Sequence, residues 1–298
     1  MLTFFSAPKA FCNQFNVIQR NAIRSWQLLK PKCEVILMES DPGTAEVAKE
    51  LGIRHVPEVE RNSMGTPLVS AIFAEAQKAA TYGTLCYVNA DIILTSDFLR
   101  GVHDALSEKS RSLLVGQRYD VDIREPLDFT TTWEEELRRV LRENGRLHGH
   151  TGIDYFVFPK GFWAKIPPLI IGRGSWDNWL IYQARSQGAP VIDLTPVVRP
   201  AHQNHDYAHL AGGKVSAFGG REAAQNLALA GGYSHLYTIA DANFQLTNKG
   251  VRRRLTPYYF YRRLVTLSTS HRSALVLLKA VRSTLRAIRR EEDSYIFD

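Results

Sequence analysis

Apolar residues arrive in short blocks along the first 125 positions, separated by turns and by stretches of helical spacing. Residues 2–6 form a short apolar block ending at Ala7-Pro8, and residues 15–29 carry a helical pattern that Pro31 stops. Residues 34–38 (EVILM) read as a buried strand, followed by a turn at Asp41-Pro42-Gly43. Thr44 then caps a short helix with Val47 and Leu51 on one face, which Gly52 ends. A strand is expected over 53–56. Thr66-Pro67 opens a helix through Ala80, with Leu68, Ile72, Ala76 and Ala79 facing inward. Residues 85–88 and 113–116 supply two more strands.

Strands alternating with helices at this spacing imply βαβ units, a parallel sheet and right-handed crossovers. Ligands of such sheets bind beyond the carboxyl ends of the strands. Those ends carry Ser6-Ala7-Pro8, Glu39-Ser40-Asp41 and Asn89-Ala90-Asp91. From Thr151 the character shifts to short, aromatic-rich elements: strands over 155–158 and 191–194, a helix over 178–187, then a segment holding His202, His205 and His209. This half is expected to build the acceptor side of a cleft rather than a separate fold.

Several chemistries lack their motifs. The first strand is not followed by G-x-G-x-x-G, which argues against a dinucleotide cofactor, and no G-x-x-x-x-G-K-[ST] loop occurs. No G-x-S-x-G elbow is present, and no histidine pair shows the His-x-x-x-His arrangement together with the Glu of a helical zinc hydrolase. Within residues 87–94 a polar Asn89-Ala90-Asp91 interrupts an apolar run where burial disfavours a carboxylate. Asp91 either caps a turn there or stands at the ligand edge, where a divalent cation could hold it against phosphate oxygens.

Further along come His150-Thr151-Gly152-Ile153-Asp154, then Ser175-Trp176-Asp177-Asn178 and Ala201-His202-Gln203-Asn204-His205. In this order the sequence resembles the GT-A glycosyltransferases, whose landmarks are a DxD motif, a glycine loop, an xED motif and a late histidine. The resemblance covers roughly residues 1–245. It implies a mixed, mostly parallel α/β sheet flanked by helices, and transfer of a sugar from a nucleotide-diphosphate donor to a sugar, glycan or lipid-linked acceptor. Asp91 would hold Mn²⁺ or Mg²⁺, with His202 or His205 completing the metal shell. Asn89, where the family usually has Asp, would hydrogen-bond the donor through its amide. Ala7, Pro8, Asp41, Asn62, Gly65 and Gly152 match the donor-binding regions. Asp177 would be the base of an inverting transfer, and it could also cap the helix behind it, since the two roles are not exclusive. Asp154 is the alternative carboxylate. A sugar-phosphate nucleotidyltransferase and a non-catalytic nucleotide-sugar binder stay open as other readings.

Charge redraws the end of the chain. The net charge is +7, yet residues 1–248 hold 25 basic and 26 acidic side chains. Twelve Lys or Arg and no acid lie between Lys249 and Arg290. The expectation is therefore a body of residues 1–248, split into nucleotide-sugar (1–125) and acceptor (126–248) halves, and a basic tail of 249–298. Within the tail, 271–290 reads as an amphipathic helix suited to an anionic membrane surface. Nucleic acid is a less favoured partner, since no recognised module is present. Three scattered cysteines, no signal-peptide pattern and no apolar run of about 18 residues point to a cytoplasmic chain, peripheral on the membrane if the tail binds it.

Overall fold

A computed structural model describes residues 1–205, 218–255 and 257–268. In chain order the elements are β1 (Thr3–Ser6), α1 (Asn13–Leu28), β2 (Glu34–Met38), α2 (Thr44–Leu51), β3 (Arg54–Val56), α3 (Val69–Ala79), β4 (Thr84–Val88) and β5 (Ile92–Ile93). They continue as α4 (Ser96–Glu108), β6 (Leu113–Val115), β7 (Tyr119–Val121), α5 (Trp133–Asn144), β8 (Arg146–Leu147), β9 (Tyr155–Pro159), α6 (Trp176–Ser186), β10 (Val191–Asp193) and β11 (Ala201–Gln203). The last are α7 (Arg221–Leu229), β12 (Phe244–Thr247), β13 (Gly250–Arg253) and α8 (Pro257–Ser268).

Nine strands form the main sheet in the order β13-β12-β10-β6-β9-β4-β1-β2-β3. The pairs around β1, β2, β3 and β4 are parallel, as are β6–β10 and β10–β12, whereas β9 runs antiparallel between β4 and β6. This is the mixed, mostly parallel sheet flanked by helices that was expected. Alternation along each strand sends neighbours to opposite faces. Phe5, Phe73, Tyr87, Phe158 and Leu180 fill the layer under α3 and α6. Phe4, Trp26, Leu37 and Phe98 fill the layer under α1 and α4. Trp26 also donates its indole N–H to the Ile92 carbonyl at 2.8 Å, tying α1 to β5.

A second sheet, β5-β11-β7-β8, stands beyond the carboxyl end of β4. Val121, Leu137, Leu141, Ile93 and Ala201 pack α5 against it. The helices α4 and α5 fall in stretches that the hydrophobic pattern leaves unassigned.

Some boundaries differ from expectation. Thr44 is the first residue of α2 rather than its cap; Gly43 precedes it at φ 87°, and a Cβ there would meet the Phe11 Cβ at 2.8 Å. Gly52 does close α2, at φ 62°. The helix expected from Thr66 begins at Val69, because the preceding residues bridge to other strand-like segments (Arg61 with Pro67, Leu68 with Ile170).

The expected division after residue 248 falls inside a hairpin. β12 and β13 pair antiparallel across Thr247 and Gly250, so the sheet continues through Arg253. Beyond it, Arg254 reaches buried Asp193 at 3.0 Å, and Arg262 on α8 reaches fully buried Asp241 at 2.7 Å. Six of the twelve basic residues counted after Asn248 therefore lie on or beside elements packed against the body. Residues 271–290 and His209 lie outside the described residues.

Candidate functional site

The site grows from the ends of two antiparallel neighbours. Register pairs Val88 at the end of β4 with Tyr155 at the start of β9. Asn89 and Asp154, the next residue in each direction, therefore meet: the Asn89 backbone N–H donates to the Asp154 carbonyl at 2.9 Å, and Asn89 Nδ2 to Asp154 Oδ1 at 2.8 Å. Tyr87 donates its hydroxyl to Asn89 Oδ1 at 3.0 Å. Asn89 is thus fixed on both amide atoms, leaving one N–H hydrogen to offer and turning its oxygen away from cation duty.

Two residues on, Asp91 faces the small sheet. The antiparallel pairing of β5 with β11 opposes Ile92 and His202. His202 Nε2 lies 3.8 Å and His205 Nε2 3.0 Å from Asp91 Oδ2. Asp91, His202 and His205 each present a ligand atom within 4.8 Å of the others, so the fold brings both candidate histidines to Asp91. Asp91 Oδ1 is buried and has no hydrogen-bond partner among the described residues. A buried carboxylate oxygen left bare is costly unless something else takes it up. Burial pushes the Asp91 carboxyl up, but the His205 hydrogen bond and the His202 and Lys9 charges outweigh it and hold it well below the usual range. An ionised carboxylate, two imidazoles and an open carboxylate oxygen fit a divalent cation, and Mn²⁺, a transition metal, tolerates the two nitrogen ligands better than Mg²⁺.

Asp154 is buried and closed. Arg118 Nη1 lies 2.6 and 2.7 Å from its two oxygens, and Asn89 takes one of them as well. Three hydrogen bonds thus engage Asp154, and the Arg118 charge makes it a weaker candidate base than Asp177. Gly152 sits in the turn before it; a Cβ there would lie 2.4 Å from His148 Cδ2, so the close approach of the His148 ring requires glycine.

Asp177 is not an N-cap. Ser175 holds that place at φ 85°, and Asp177 lies in the first turn of α6. Its Oδ1 accepts the adjacent Asn178 N–H at 2.9 Å. Burial, reinforced by the Asp154 charge, lifts its carboxyl to about 7 against the pull of that N–H. The Trp176 beside it packs edge-on to Tyr87, which places the start of α6 near the Asn89 end of β4. Trp176 and Trp179 are both buried, so they pack the core rather than offer a face to a sugar.

The remaining donor-side residues gather elsewhere. Pro8 is buried and Ala7 packs on the core, while the Lys9 backbone is clamped by Gln19, whose Oε1 accepts at 2.7 Å and whose Nε2 donates at 2.9 Å. Asp41 lies 3.6 Å from Arg61, which also binds the Gly65 carbonyl at 2.8 Å and pairs with Glu39. Glu39 is buried at φ 83°, and burial lifts its carboxyl to about 7 in spite of Arg61. Asn62 closes its own turn onto Met64 and Thr66 and donates to Glu222 at 2.7 Å. Arg61, Arg118, Asp120 and Gln19 escaped the sequence reading; only their polarity at strand or helix ends could have marked them.

No family model matches the chain, and no curated protein matches it. Solved structures do. S. aureus TarS 1–349 with UDP-GlcNAc is 15% identical, over 42% of this chain and 36% of that one, at a TM-score of 0.32. The mannosyltransferase PcManGT from Pyrobaculum calidifontis, with GDP-Man and Mn²⁺, is 14% identical over 77% of this chain and 62% of its own, at 0.47. Glucosyl-3-phosphoglycerate synthase from Mycobacterium tuberculosis, with Mn²⁺, UDP-Glc and phosphoglyceric acid, is 14% identical over 78% and 79%, at 0.46. The chain thus spans less than two thirds of the first two. Among the described residues, no helix is long and apolar enough to cross a membrane.

Proposed function

We propose that this chain is a metal-assisted GT-A glycosyltransferase that moves a sugar from a nucleotide-diphosphate donor to a glycan or lipid-linked acceptor. The observation that supports it best is the meeting of Asp91, His202 and His205 around the bare Asp91 Oδ1, at the carboxyl edge of parallel strands. A divalent cation bound by these three side chains would neutralise the donor diphosphate and stabilise its charge as it leaves. Asn89, locked by Tyr87 and Asp154, presents its remaining amide hydrogen to the donor. Asp177 accepts the proton of the acceptor hydroxyl while the new glycosidic bond forms and the sugar–diphosphate bond breaks, inverting the anomeric centre. A carboxyl lifted to about 7 is matched to that task near neutral pH.

Calorimetry tests the reading with UDP and GDP, each with Mn²⁺ and with EDTA. Wild type should bind one of them in a cation-dependent way, and Asp91→Ala should lose that dependence. A panel of nucleotide sugars scored for released nucleoside diphosphate then identifies the donor. Cation-dependent binding with no turnover on any donor would favour a binding protein; equal binding by Asp91→Ala with and without Mn²⁺ would remove the metal site.

A further inference from the structure

Asp120 belongs to none of the sequence motifs, yet three basic groups converge on it. The parallel register of β7 and β11 sets Asp120 directly opposite His202. His202 Nδ1 lies 3.2 Å from Asp120 Oδ1, at an angle too oblique for a formed hydrogen bond, and this buried nitrogen has no hydrogen-bond partner among the described residues. His148 Nδ1 lies 2.6 Å from Oδ2, and Arg118 Nε donates to Oδ1 at 2.9 Å. His202 is therefore held between two carboxylates, with Nδ1 toward Asp120 and Nε2 toward Asp91.

A neutral imidazole carries one ring proton, and the nitrogen that faces a fixed acceptor keeps it. With Nδ1–H turned to Asp120, the Nε2 lone pair is left for a cation, and the ring cannot swing away. We propose that Asp120 is a positioning residue for the cation site, selecting the His202 tautomer whose Nε2 lone pair faces Asp91. Arg118 and His148 hold Asp120 in place. Through its second carboxylate, Asp154, Arg118 also steadies Asn89, so one guanidinium braces both sides of the site. The effect on cation affinity rests on the proposed function; the hold on the imidazole does not.

The two are separable by experiment on the full-length chain. Protein labelled with ¹⁵N-histidine, free of metal and in alkaline buffer, should show His202 protonated at Nδ1 in long-range ¹H–¹⁵N spectra, assigned with His202→Gln. Asp120→Ala should lose that preference, and Asp120→Asn, which keeps an acceptor oxygen but not the charge, should lie between. Electron paramagnetic resonance with Mn²⁺ alone should show binding weakened about 10–100-fold in Asp120→Ala. Should that variant fail to fold by circular dichroism, Asp120→Asn carries both readouts. An unchanged tautomer with Mn²⁺ affinity within about twofold of wild type would overturn the proposal, leaving Asp120 as a partner of Arg118 alone. Wild type that binds no Mn²⁺ would instead refute the metal reading, and the imidazole spectrum would still decide for or against Asp120.

Discussion

The rings of Tyr87 and Trp176 meet edge to face, 5.3 Å between centroids and 81° between planes. One belongs to the strand that ends in Asn89, the other to the helix start that carries Asp177. Contact of this kind adds about 0.5–1.5 kcal/mol beyond the area it covers, and here it also fixes a distance between two loops. The first turn of α6, which carries Asp177, is thereby anchored to β4 through its neighbour Trp176.

Asp177→Asn preserves size and the first-turn position but cannot take a proton. Turnover should fall by about 10²–10⁴ while nucleotide affinity stays unchanged. Steady-state rates and calorimetry on the same preparation check both halves; near-normal turnover would take the base away from Asp177.

The same carboxyl predicts two pH dependences. Activity should rise with pH up to about 7 and then level, since only the ionised form accepts a proton. Stability should move the other way. The native carboxyl binds its proton more tightly than the unfolded one, so folding free energy is lost as pH rises from the ordinary aspartate range to about 7, and the loss is complete above it. Asp177→Asn should therefore melt higher than wild type in mildly alkaline buffer, with the gain shrinking to nothing at the acid end.

Removing Arg118 strands a carboxylate. Asp154 is buried and takes two of its contacts from Arg118, so Arg118→Met should cost about 3–5 kcal/mol in urea unfolding. Adding Asp154→Asn should recover a large part, because the neutral amide does not need the counter-charge. Additive losses in the double variant would mean that the pair is not the source.

Much of this was legible from residue pattern alone. EVILM and its neighbours announced the β1, β2 and β4 core because parallel strands buried on both faces are continuously apolar. Asn89-Ala90-Asp91 stood out because polar groups at a strand exit have no packing reason to be there. What escaped depended on long-range register. Nothing local to Asp120 or Arg118 marks them; they matter because β7 returns beside β11 and because β9 enters the sheet antiparallel. Asp177 reads from sequence as a base that could also cap its helix; Ser175 takes the cap, a matter of local backbone geometry that residue type does not fix. The boundary after residue 248 followed charge, and charge carries no information about β12 pairing with β13.

That boundary separates two truncations. Ending the chain after Ser268 keeps β13, Arg254 and Arg262, and the melting curve should match wild type. Ending it after Asn248 leaves buried Asp193 and Asp241 without their guanidinium partners and should lower or abolish the transition. Residues 269–290 keep Arg272, Lys279, Arg282, Arg286, Arg289 and Arg290, ahead of the acidic Glu291, Glu292, Asp293 and Asp298. At about 1 kcal/mol for each basic residue near an anionic surface, full-length protein should co-sediment with phosphatidylserine vesicles and release as salt rises. Residues 1–268 should stay in the supernatant while still binding nucleotide; equal sedimentation of the two would place the membrane contact on the body.

The small sheet also dictates when the site can exist during synthesis. β5, β7 and β11 contribute Asp91's neighbour, Asp120 and His202, and among the described residues they pair only with one another and with β8. More than half the chain must leave the ribosome before His202 can meet either aspartate. Pairings across such separations close slowly, because the chain entropy of the intervening loops is lost before any contact repays it. The large sheet can begin on its first three parallel strands, but the cation site has no early fragment. On the proposed function, a nascent chain therefore holds no cation at these residues until its second half has folded onto the first.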